Sequence, residues 1–119
     1  MRKKSNRISL QTLLSDPEKS PEQKLALFAW LNLGIIESLG RGHLTPADAL
    51  RIFFNGENCL FVRHELADEN ADTIMSCGVQ LPDLFDILPA DKAQQEFQSE
   101  LSTMRSLCVN ILEQKRLAA

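Results

Sequence analysis

The sequence predicts an all-α fold, a compact bundle of about five to six helices, on three observations. The run LALFAWLNLGIIESLG carries apolar residues at helical spacing behind a Ser-Pro start signal. Near the C-terminus, Phe97, Leu101, Met104, Cys108 and Ile111 alternate steps of four and three residues, a heptad-like seam. The 119 residues are 44% hydrophobic and 24% charged, which suits one domain burying its own core without metals or disulfides.

Residues 1–7 hold Arg2, Lys3, Lys4 and Arg7 and read as a basic mobile tail ahead of a single helical domain over 8–119. Ile8, Leu10, Leu13 and Leu14 suit a short docking helix, and SDPEKSPE then reads as a linker. Ser20, Pro21 and Gln23 form a capped helix start, and Gly40 suits a left-handed stop, so the spacing predicts a central apolar helix over 21–39. One face of that helix collects Leu25, Phe28, Ala29, Asn32, Ile35, Ile36 and Leu39. The opposite side carries Leu27, Trp30 and Gly34 among polar neighbours. Either the rest of the chain encloses it, or Leu27, Trp30, Leu31 and Gly34 face a second subunit. Asn32 requires a hydrogen-bond partner if buried.

Thr45, Pro46 and Asp48 start the next helix, which carries Leu50, Phe53 and Phe54. Asn55-Gly56 follows between apolar runs. It reads as a turn between two helices, with Leu60, Phe61, Val62 and Leu66 inward; the alternative is α+β with a small hairpin at 51–62. Two short helices follow, the first capped by Asp68 and ended by Gly78, the second running from Pro82 to Pro89, with Leu81, Leu84, Phe85, Ile87 and Leu88 as core contacts. A long amphipathic helix over 90–117 closes the chain.

The stretches LTPADALRIFF and GVQLPDLFDILP, followed by that long helix, resemble a family of small, functionally uncharacterised bacterial helical proteins over roughly residues 44–112. The resemblance implies an all-helical bacterial domain and supplies no activity and no site residues.

The chemistry-bearing residues do not assemble into a motif. Cys59, Cys77 and Cys108 are odd in number and widely spaced, which fits a reducing cytoplasm and free, structural thiols. His43 and His64 lack the partners of a zinc site. Asp68, Asn70 and Asp72 begin like a calcium loop, but Thr73 and Val79 stand where its glycine and glutamate belong. No cofactor and no catalytic or metal-binding residue is expected. The apolar run from Leu25 to Ile36 is too short to span a membrane. Behind the basic tail, 9 of the 13 Lys and Arg face 16 acids, which disfavours general nucleic-acid binding. The tail itself could reach nucleic acid or an anionic surface, as the alternative reading. Glu65, Asp68, Glu69, Asp72, Asp83, Asp86 and Asp91 fall in a stretch without Lys or Arg and form a candidate docking patch for a basic partner. The sequence thus predicts a cytoplasmic, non-enzymatic interaction or regulatory module with a protein partner, a homodimer among the forms it could take.

Overall fold

The computed structural model describes residues 7–118, which form six α-helices and one π-helical turn, with no strand among the described residues. The basic tail expected over residues 1–7 lies, Arg7 apart, outside the described residues. The helices are α1 (Leu10–Leu14), α2 (Pro21–Gly40), α3 (Pro46–Ile52), α4 (Gly56–Phe61), α5 (Glu69–Ile87) and α6 (Ala90–Ala118), and the π turn spans Val62–Leu66. They form an all-α bundle 46 × 44 × 22 Å across.

Side-chain caps fix the element starts. Ser20 accepts from the Gln23 amide at 3.1 Å while the Gln23 side chain accepts from the Ser20 amide at 2.8 Å, a complete capping box. Ser9, Thr45, Asn55 and Asp68 each accept from the amide three residues on. Asn55-Gly56 is therefore a helix start and not a hairpin turn: the α+β alternative over 51–62 gives way to α3, a three-residue turn and α4. The Asn55 carboxamide also bonds back to the Arg51 carbonyl at 3.1 Å, spanning that turn.

Two expected stops fall elsewhere. Gly40 is the last helical residue of α2, and the left-handed position is Gly42 at φ +80°. There the His43 amide bonds to the Ser38 carbonyl and the Gly42 amide to that of Leu39, the Schellman pattern. Gly78 does not end a helix. α5 runs through both Gly78 and Pro82, so the two short helices expected here are one.

The glycine serves packing instead. A Cβ on Gly78 would lie 2.3 Å from the Phe54 ring. Phe54 is fully buried, edge-on to Phe53 at 5.0 Å, and Phe53 in turn lies 6.5 Å from Phe28. The bare backbone of α5 is thus the seat of an aromatic column rising from α2. Pro82 removes the amide that would bond the Gly78 carbonyl, a cost of about 3 kcal/mol in an ordinary helix interior. Packing on α6 offsets it: Leu81 is buried, Leu84 joins the core, and Phe85 meets Phe97 edge-on at 5.4 Å.

α6 lies against both α2 and α5. Its seam is buried as the spacing predicts, Phe97, Leu101, Met104, Cys108 and Ile111 all being 5% exposed or less. Three expected core contacts are not buried: Leu60, Phe85 and Ile87 are exposed, Ile87 at 75%. Leu60 lies one turn into α4, on the side away from buried Val62, and Ile87 is the last residue of α5, where no neighbouring helix covers it.

Candidate interaction surface

On α2 the buried stripe is Leu25, Phe28, Ala29, Asn32, Ile35, Ile36 and Leu39, the face the sequence predicts. The opposite stripe is Gln23, Leu27, Trp30, Gly34, Glu37 and Arg41, spaced four, three, four, three, four. At roughly 100° per residue these six sit within about 40° of one line. Leu27 is half-buried and the other five are exposed. Among the described residues none covers Trp30, Gly34, Glu37 or Arg41, so the described chain encloses α2 on its buried stripe and only partly at Leu27.

Trp30 is 58% exposed and Leu13 of α1 is 51% exposed. With Leu14, Leu27, Phe28 and Leu31 they line an open groove of about 470 Å³ between α1 and α2. Of the sequence-predicted set, Leu27, Trp30 and Leu31 line this groove, and Gly34 lies one turn beyond Trp30 on the exposed stripe. A Cβ on Gly34 would meet nothing within 4 Å, so no neighbour among the described residues requires this glycine. At the end of the stripe the Arg41 guanidinium bonds the Glu37 carboxylate. That bond holds the Glu37 carboxyl below its usual range and Arg41 above its own.

α1 is held by a residue the sequence reading did not single out. Asn58 is buried; its Oδ1 accepts from the Leu10 amide at 3.0 Å, and its Nδ2 donates to the carbonyls of Ile8 at 2.7 Å and Phe53 at 2.9 Å. The Ile8 amide adds a bond to the Ile52 carbonyl at 2.9 Å. These bonds seat α1 beside α2 and so set one wall of the groove. The signal available was weak: a polar residue three after a helix cap, in a run of large apolar side chains. Asn32, which was singled out, donates from Nδ2 to the Phe28 carbonyl at 3.0 Å, one turn back in its own helix. Its buried Oδ1 has no partner among the described residues.

The seven acids do not form one patch. Glu65 lies in the π turn, and Asp68, Glu69 and Asp72 sit at the start of α5. Asp83 and Asp86 lie in its last two turns, and Asp91 in the first turn of α6. At 1.5 Å per residue, Asp72 and Asp83 are about 17 Å apart along the helix. Several also have local roles. Asp68 caps α5, Asp72 pairs with Arg63 at 3.5 Å, and Asp91 accepts from the Lys92 amide at 2.9 Å. At the far end, Asp83, Asp86 and Asp91 share the surface with exposed Phe85 and Ile87.

A second open groove, of about 520 Å³, brings His64 near Gln11, Lys24, Glu57 and Glu65. His64 is exposed there, and His43 is exposed in the α2–α3 loop. Among the described residues, no three His, Cys, Asp or Glu side chains gather closely enough to hold a metal ion. Burial, together with a hydrogen bond to the Glu100 carboxylate, pushes the Cys77 thiol up to about 11. Cys77 lies in the middle of α5 and not at a helix end, where a stop at Gly78 would have placed it. Burial takes Cys108 to about 12 against the weaker pull of Arg105, and raises Cys59 against that of Arg63. At neutral pH all three are thiols, poor nucleophiles and poor metal ligands.

No helix among the described residues is long and apolar enough to cross a membrane. Comparison with family models, with curated proteins and with solved structures finds no match to this chain.

Proposed function

We propose that this chain is a non-enzymatic protein-interaction module that works by docking a protein on the outer face of α2, and that a second copy of itself is such a partner. The observation that carries this reading is Trp30, 58% exposed at the rim of an apolar groove. Exposed tryptophan costs hydrophobic free energy that a docked partner recovers, and it is the residue type most enriched at interface centres. A cytoplasmic setting belongs to the proposal, supported by three widely spaced cysteines with no motif to pair them. Exposed Ile87 and Phe85 among Asp83, Asp86 and Asp91 support a further contact with a basic partner.

The protein has one Trp and no Tyr, so its near-ultraviolet emission reports Trp30 alone. Light scattering and emission are measured together from about 1 to about 500 μM. Mass rising toward a dimer with a blue shift in emission is the expected result. A constant monomer mass with unchanged emission across that range removes self-association from the proposal.

A further inference from the structure

The outer face of α2 is complementary to itself in one particular register. Resting on the reading of this face as a self-association surface, we infer that two copies pair through antiparallel α2 helices, with Trp30 of each seated on Gly34 of the other. In that register Leu27 lies level with Glu37, and Gln23 with Arg41, each twice by symmetry. The pairing uses every member of the stripe, and the four-three spacing keeps the stripe facing its copy along the whole helix.

Three features favour this occupant. The first is size. Trp30 is the largest side chain of the stripe, and it meets the one residue with no side chain, above which the structure is open. A glycine inside a helix is destabilising by itself, nothing among the described residues requires Gly34, and a neighbouring tryptophan would. The second is charge. Glu22, in the first turn of one α2, comes within one residue's rise of Arg41, the C-cap of the other, so this acid and base meet twice, beside the Glu37 that Arg41 bonds in its own helix. Antiparallel packing also opposes the two helix dipoles. The third is the groove: Leu13 of α1 stands beside Trp30 and extends the apolar surface beyond a single helix pair. A two-fold pair of this kind uses the same patch on both copies and closes without leaving a free half-site.

The test compares the native chain with Gly34→Leu and Glu22→Lys by sedimentation equilibrium, with thermal unfolding as the fold control. Gly34→Leu fills the tryptophan's seat from a position with open space around it. Its unfolding temperature is expected to rise, since leucine is the better helix former, while self-association falls at least tenfold. Glu22→Lys, which sets a lysine against the partner's Arg41, is expected to weaken association several-fold, and Glu22→Lys with Arg41→Glu to recover most of it. A native chain that dimerises equally well with Gly34→Leu overturns this register while leaving self-association standing. A native chain that stays monomeric overturns both. The folded Gly34→Leu chain separates these outcomes from simple loss of structure.

Discussion

Gly34 lies within α2 and Gly78 at the middle of α5, and they do opposite things. Against Gly78 lies the ring of Phe54, so close that a Cβ would stand 2.3 Å from it; against Gly34 there is nothing within 4 Å. One glycine is required by the fold and the other is not. The contrast separates a position shaped by the chain's own core from one that none of the described residues constrains. Replacing Gly78 with alanine breaks the comparison most severely. Phe54 cannot yield, because Phe53 holds it edge-on in the core. Overpacking at such a site costs about 3 kcal/mol, so chemical denaturation of Gly78→Ala should show a loss of that size. Phe54→Leu in the same chain should return part of it. Losses that simply add in the double variant would mean that ring and backbone do not touch.

The same contrast divides the two buried asparagines. Asn58 uses both ends of its carboxamide on groups from α1 and the α3–α4 turn, whereas Asn32 bonds only within its own helix. Asn58→Ala strands the Leu10 amide and the carbonyls of Ile8 and Phe53, and an unsatisfied buried backbone group costs about 1–3 kcal/mol. Water reaching part of the site brings the expected loss to about 2 kcal/mol, read from the denaturation midpoint. Because those bonds seat α1, the variant should also raise amide exchange in residues 10–14 ahead of the rest of the chain. Uniform exchange would show that α1 is held by its leucines alone.

The helical skeleton was legible in the residues because its signals are local. Ser20, Thr45, Asn55 and Asp68 cap the next turn of their own chain, and a cap works without regard to tertiary contacts. The buried faces of α2 and α6 followed from periodicity. What failed was the reading of Gly40, Gly78 and Pro82 as punctuation, although Pro21 and Pro46 do open α2 and α3. Gly78 and Pro82 look like a helix stop and a helix start, but the core needs a bare backbone under Phe54, and that need outweighs local propensity. No spacing encodes which ring will lie over which glycine. The exposure of Ile87 and Phe85 was hidden for a similar reason: periodicity says that a residue belongs to an apolar face, not whether the bundle extends far enough to cover it. The acidic stretch misled in another way, since residues close in sequence are spread along α5 once they are helical.

The smallest expected effect lies at Gly34, and its sign matters more than its size. If the isolated fold is all that shapes this position, alanine should simply improve it. Alanine is favoured over glycine inside a helix by about 1 kcal/mol, its Cβ enters open space, and the stripe opposite loses nothing. Thermal unfolding of dilute Gly34→Ala should therefore shift up by about 4 °C, the change that 1 kcal/mol makes in a domain near this size. At high concentration the comparison should sharpen. If the proposed pairing forms, the native chain gains stability there by mass action, and a methyl group in the tryptophan's seat takes part of that gain away. The stabilisation by alanine should therefore shrink as concentration rises. An advantage that is the same at every concentration would mean that Gly34 faces only water, and a loss already present at high dilution would mean that the bundle itself needs the glycine.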